Sequence, residues 1–340
     1  MSIRPSRTHR PFTAAGIACA VLLAIVGTVG PAHARQAGGG LPQSVVASSS
    51  PLTPQQREQV RSFAETWTRA LATGEGAQVS RGRNELAQPP ARPGATPAFH
   101  RDYAGVLRPM LQPIIDGDDE FRAINAMIVL RSLRTPEAVE DLVALSSPRT
   151  ERRPVIRIRA AGLLTDAVAD APLNPAQMDG ITRAILEAAS TDPEWVAAYH
   201  GFRTLARVAG RSGLPAGSIT LALRSQVDLL DRLVDRAERD TAPSDSMHAI
   251  ARSLLIARDQ LPSLSPENAA VLRRGAAPAL ARLGTIAANH WDLARETSAG
   301  TKVYRDALTA ANLLLSLEAA ARRQPLAIDF GAKWDAGDRD

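Results

Sequence analysis

The chain has little cysteine, little lysine and few aromatic rings. Its one cysteine, Cys19, lies in an uncharged apolar run near the N-terminus. If that run is removed, the rest has no disulfide, no thiol nucleophile and no cysteine metal site. The only lysines are Lys302 and Lys333, so the positive charge is almost entirely arginine. Aromatic residues make up 4% of the chain. That is a thin supply for the stacking platforms of a polysaccharide cleft or a single-stranded nucleic-acid groove. No G-x-S-x-G, phosphate-binding glycine loop, dinucleotide fingerprint or H-E-x-x-H occurs. No window alternates convincingly as a strand does, and no later segment approaches a membrane span.

What is present begins with an export signal. Arg4, Arg7 and Arg10 form a basic start, "TAAGIACAVLLAIVGTVG" (13–30) is apolar, and "PAHA" (31–34) puts Ala32 and Ala34 at the −3 and −1 positions of a cleavage site. Residues 1–34 are therefore expected to be a cleaved signal peptide, and the mature chain to be periplasmic or extracellular. Cleavage takes three arginines and no acids, so the formal charge falls from +5 to +2. Near-neutral balance gives no support for nucleic-acid binding. Residues 35–52, rich in Gly and Ser, read as a flexible leader.

The remainder is punctuated by helix starts. Thr135-Pro136-Glu137, Asp192-Pro193-Glu194 and Ser265-Pro266-Glu267 share one form, with looser versions at Thr53-Pro54-Gln55 and Asn174-Pro175-Ala176. The first residue caps an orphan backbone N–H, Pro suits the first helical position, and Glu complements the helix dipole. Apolar stripes follow at helical spacing, such as Ile219, Leu223, Val227, Leu230 and Val234. The expected fold class is all-α. Two helices lie between 53 and 116, separated by a Pro/Gly-rich loop at 74–97. Pro109 and Pro113 are expected to kink or split the second, and Asp118 to cap the next helix. A helical repeat domain covers 117–323 and a tail covers 324–340.

Within that domain helices come in pairs at steps of roughly 35 to 45 residues, widening to about 50, as in α-solenoids. "DDEFRAINAMIVLRSLRTPEAVEDLVALSS" (118–147) resembles a HEAT repeat, and "RPVIRIRAAGLL" (153–164) resembles the start of another. "DPEWVAAYHGFRTLARVA" (192–209) is a looser third. The resemblance covers about 118–210 and implies a solenoid used for binding. It brings no catalytic residues with it.

Candidate chemistry is sparse. His100-Arg101-Asp102 and His290-Trp291-Asp292 could each orient a base, although surface or capping contacts account for such pairs. Asp116, Asp118 and Glu120 open like a calcium loop, but Phe121 and Met127 stand where glycine and the bidentate acid belong. The densest basic patch holds Arg149, Arg152, Arg153, Arg157 and Arg159, with Arg153 and Arg157 expected on one face opposite Ile156 and Ala160. It could meet an anion or an acidic partner. No cofactor and no metal site is expected. The tail carries Phe330 and Trp334, either as a docking peptide or folded back on the last helices.

The expected role is that of an exported, non-catalytic scaffold of the cell envelope that binds a protein partner. The alternatives are a helical enzyme acting on an envelope polymer through an inter-helix site, and a purely structural envelope component.

Overall fold

Proline begins several of the helices, and in five of them a hydroxyl or amide before it closes the first turn. Thr53, Thr96, Thr135, Asn174 and Ser265 each accept a hydrogen bond from the backbone N–H three residues on, at 2.9–3.4 Å. Each precedes a proline at the first helical position, where a missing N–H costs nothing. The computed structural model describes residues 40–240, 244–326 and 328–338. The expected signal peptide lies outside the described residues.

Among the described residues the fold is all-α, with no strand. In chain order the helices are α1 (Gln43–Val46), α2 (Pro54–Thr73), α3 (Gly76–Ala91), α4 (Pro97–Ile115), α5 (Glu120–Ser132), α6 (Pro136–Leu145), α7 (Pro154–Asp170) and α8 (Pro175–Thr191). They continue with α9 (Trp195–Ala209), α10 (Ala216–Arg239), α11 (Ser244–Gln260), α12 (Pro266–Asn289), α13 (Trp291–Arg295), α14 (Ser298–Ala321) and α15 (Phe330–Ala336).

The packing order resolves into two rows. A front row runs α3, α5, α7, α9, α11, α14, each helix touching the next. A back row holds α2, α4, α6, α8, α10 and α12. Within it α2 touches α4, and α6, α8, α10 and α12 touch in succession. Arg108 of α4 reaches Asp141 of α6 at 2.8 Å. Each back-row helix also packs on the front-row helix that follows it. One continuous apolar core runs between the rows, from Leu41 to Trp334. Every interface is thus made by near neighbours in sequence, the arrangement of a stacked helical array.

Arginine holds the array together. Arg153 donates to the carbonyls of Ile115 (2.8 Å) and Gly117 (2.5 Å) beyond the end of α4. Arg211 donates to Val168 and Ala171 at the end of α7, and Arg236 to Ser190 and Asp192 at the end of α8. The last turn of a helix leaves carbonyls without partners, and a cation there also opposes the dipole. A guanidinium fork can take two such oxygens at once in fixed geometry, whereas an ammonium is a compact point charge. At these three positions lysine could not take the place of arginine without losing one of the two bonds.

Four expectations change. The stretch 74–97 is not a loop, because α3 fills most of it. Val79 and Leu86 are buried, and Gly82 lies where a Cβ would come within 2.9 Å of the Trp67 carbonyl. Pro89 and Pro90 sit in its last turns. Pro90 has no N–H for the carbonyl of Leu86, and the buried Tyr103 hydroxyl donates to that oxygen instead, at 2.8 Å. Residues 40–52 are not free either, since Leu41, Val45, Val46 and Leu52 are buried. The N–H of Leu52 donates to Asp102 Oδ2 at 2.6 Å. Pro109 and Pro113 do not split α4. They lie four apart on its exposed side, where water can serve the freed carbonyls. The cap of α5 is Asp119 rather than Asp118. At the other end α15 packs on α14 and buries Trp334, which is 3% exposed, so this part of the tail is folded back.

Candidate functional site

The basic patch lies in the turn before α7 and along its first two turns, and the structure divides it. Arg157 is 4% exposed and not on a solvent face; Ile156 and Ala160 are buried beside it. Its Nε and Nη2 reach Asp192 Oδ2 and Oδ1 at 2.7 and 3.2 Å. Its Nη1 donates to the carbonyls of Glu151 and Arg152 at 3.3 and 3.0 Å. The Asp192 hydrogen bond is the main cause that raises the Arg157 pKa above its already high value. Arg153 is bonded to Glu151 at 2.7 Å as well as to the α4 carbonyls, and that bond holds the Glu151 carboxyl below its usual range. Arg149 is exposed but meets Glu187 of α8 at 2.5 Å. Arg152 and Arg159 are exposed. Two of the five therefore serve the fold, one bridges helices, and two face outward.

Asp192 was expected to cap a helix in the same way as Thr135 and Ser265. It is fully buried, accepts the Glu194 N–H at 2.8 Å, and gives its remaining capacity to Arg157. The same three-residue signature thus conceals an ion pair.

Arg159 has a neighbourhood that the sequence alone did not single out. α7 and α9 lie side by side, and His200 of α9 covers Gly162 of α7. A Cβ on Gly162 would stand 3.5 Å from the imidazole Cε1 and Nε2. His200 is half-buried, and its Nδ1 has no hydrogen-bond partner. Burial lowers its pKa first, and the positive charges of Arg203 and Arg159 lower it further. Two guanidinium groups, from adjacent helices, therefore both disfavour the charged form of one half-buried imidazole. α9 contains no acidic residue. The carboxylates of α7, Asp166 and Asp170, both bond Arg131 of α5, at 3.2 and 3.4 Å.

The front-row helices also expose apolar groups. Phe121 at the start of α5 is 52% exposed and Val155 at the start of α7 is 45% exposed. Ile158 and Val196 are half-buried, as is Tyr199, whose ring lies 5.1 Å from that of His200. Trp195 stacks on His248 of α11 at 5.1 Å, continuing the surface to the next helix. The back row mixes its charges. Glu137, Glu140, Asp228 and Asp231 are exposed on α6 and α10, as are Arg183 and Arg224 on α8 and α10, and Arg282 of α12 ties Asp231, Asp235 and Glu238 of α10. The front-row cluster is cationic, whereas several back-row charges are cross-linked by ion pairs.

The remaining candidates are in structural use. His100 Nδ1 lies 3.0 Å from the Leu133 carbonyl, while Asp102 holds the Leu52 N–H, so the two act separately. His290 Nδ1 lies 3.0 Å from the Ile286 carbonyl at the end of α12. Asp116 accepts hydrogen bonds from Gln112 at 2.9–3.0 Å. Among the described residues no three His, Cys, Asp or Glu side chains are grouped to hold a metal ion.

No known protein family's sequence profile matches the chain. No curated protein matches it either. Among solved structures it resembles the crystal structure of an engineered protein from a structural genomics consortium, at 15% identity and a TM-score of 0.36, over 74% of this chain and 97% of that one.

Proposed function

We propose that the protein is an exported, non-catalytic binding module of the cell envelope, built of HEAT-like helix pairs, that holds a protein partner on the open face of its front row. The partner segment carries carboxylates beside apolar side chains. The observation behind this reading is the cluster of Arg159, His200 and Arg203. It supplies two cations with no carboxylate of their own, on a row of helices that also exposes Phe121 and Val155. Charge complementarity of this kind selects an acidic partner and steers its approach. The row order supports the HEAT-like reading, and arrays of this type offer long continuous surfaces.

The test is in-cell crosslinking of the tagged full-length protein, with mass spectrometry of envelope and medium fractions. One protein should be recovered saturably. Recovery should fall at least tenfold in Arg159→Glu/Arg203→Glu and stay level in Arg183→Glu, an exposed arginine of the back row. Equal recovery from both variants, or no specific protein from the wild type, overturns the proposal.

A further inference from the structure

The turns that lead into α5 and α7 form a second surface, and it uses none of Arg159, His200 and Arg203. We infer that these two turns pair with the same turns of a second copy of this chain, in a two-fold symmetric dimer.

Phe121 and Val155 are the two most exposed large apolar side chains among the described residues, at 52% and 45%. They hold the same place, the second residue of α5 and of α7, and those helices touch. Ile124 and Ile158, one turn further along, are half-buried. Single exposed apolar residues are ordinary on a protein surface. Two at matching positions on touching helices form a patch, and no described residue covers it.

Charge identifies the occupant. The turn before α5, Asp116 to Glu120, is acidic, and the turn before α7 carries Arg149, Arg152 and Arg153. Most of these charges are used within the chain. Asp116 holds Gln112, Asp119 meets Arg122 at 3.2 Å, Arg149 meets Glu187, and Arg153 pairs with Glu151. Asp118 and Arg152 are exposed, and neither side chain has a partner. Each stands three residues before its apolar neighbour, the acid before Phe121 and the base before Val155. Arg153 ties the two turns together by donating to the Ile115 and Gly117 carbonyls. A two-fold axis between α5 and α7 sets Phe121 of one copy against Val155 of the other and Asp118 against Arg152, each contact made twice. Laid α5 on α5, two copies would set acid against acid. A surface that carries its own complement in this order selects a copy of itself. A specific interface buries about 800 Å² per partner, so both turns join the apolar pair in the contact. In the dimer Phe121 and Val155 serve the second copy, and the partner proposed above meets the cationic cluster.

The experiment is analytical ultracentrifugation of the purified full-length protein from about 1 to 100 μM, a range that spans the affinity of a small interface. A reversible dimer should form and weaken as salt is raised. Asp118→Arg and Arg152→Asp should each weaken it at least tenfold, since both set like charges against each other twice. An equimolar mixture of the two variants should dimerise again, because one then carries only cations at the two places and the other only acids. Recovery in the mixture also shows that both variants are folded. Phe121→Ala should weaken the dimer at least tenfold without changing its charge. A monomer throughout the range means that another molecule covers the patch, and overturns the inference. A dimer that either charge reversal leaves unchanged is held by another surface, and overturns it as well. So does a mixture of natively folded variants, by circular dichroism, that stays monomeric.

Discussion

Replacing Asp192 with asparagine should unlock the centre of the array. The side chain keeps its size and one oxygen but loses the charge that neutralises Arg157. That arginine is buried on α7 and uses four of its five N–H donors internally: two on Asp192 and two on the carbonyls of Glu151 and Arg152. It cannot shed its proton, because its pKa is raised from an already high value. The variant therefore leaves a full positive charge buried against an amide. Breaking one side of such a pair costs about 3–5 kcal/mol, whereas replacing both sides with apolar groups of similar size is often close to neutral. Asp192→Asn should lose about 3–5 kcal/mol in urea unfolding followed by circular dichroism. Arg157→Met/Asp192→Leu should return to within about 1–2 kcal/mol of wild type. Contacts in the array are local, so unfolding need not be two-state, and hydrogen exchange should show the loss concentrated in α7, α8 and α9. A cost below about 1 kcal/mol for Asp192→Asn, or a double variant no better than the single one, would refute the argument that uncompensated charge is the penalty.

Three further outcomes follow from the same structure. Tyr103→Phe removes the donor that serves the Leu86 carbonyl, and should cost about 1–3 kcal/mol with faster exchange at the end of α3; a loss under about 0.3 kcal/mol in thermal melts would show that the carbonyl is served otherwise. Gly201→Ala would place a Cβ into that of Ala189, where α9 crosses α8, and should destabilise by about 1–3 kcal/mol. Gly180→Ala in the exposed interior of α8 meets no atom within 4 Å and should stabilise by about 0.5–1 kcal/mol; the same sign for both would contradict the packing. His200 should titrate below 6.5, and its pKa should rise in Arg159→Ala/Arg203→Ala without reaching 6.5, since burial is the larger cause. With the folded pKa depressed, the unfolded chain binds more protons, so this group's contribution to stability falls as pH drops through about 6.5 towards the folded pKa. Ring-proton NMR across that window gives the values, and an unmoved pKa in the variant would deny the two arginines their influence.

What could be read in the sequence was local. Thr53, Thr135, Asn174 and Ser265 start helices where the sequence places them, because a cap acts within three residues. The all-α class follows from the same signals and the apolar stripes. α3 could not be read, because Pro89 and Pro90 count as breakers until Tyr103, on the next helix, takes up the carbonyl that Pro90 abandons. The docking of residues 40–52 was hidden in the same way, since their Gly and Ser content conceals Leu41, Val45, Val46 and Leu52. Asp192 shows the limit most clearly. Its triplet matches Thr135-Pro136-Glu137, and only the fold brings Arg157, on α7, to its carboxylate.

The candidate face was legible in a different sense. The arginine run at 149–159 drew attention to α7, which carries part of the proposed face, but density of charge says nothing about which guanidinium groups the fold has already used. Arg153 and Arg157 are taken up by carbonyls and carboxylates of neighbouring helices, and Arg159 is not. A usable signal was present in α9, a fifteen-residue helix with a histidine, two arginines and no acid, in a chain that elsewhere mixes its charges. A lack of partners alone does not distinguish Arg159 and Arg203, since Arg183 and Arg224 are also exposed. What distinguishes them is that both act on one half-buried imidazole, from adjacent helices, with the carboxylates of α7 already committed to Arg131. An anion placed there would meet charge that the fold has left uncompensated, whereas the back-row helices carry as many acidic as basic residues, several of them tied in ion pairs. That local lack of compensation is the physical basis for proposing the binding face on the front row.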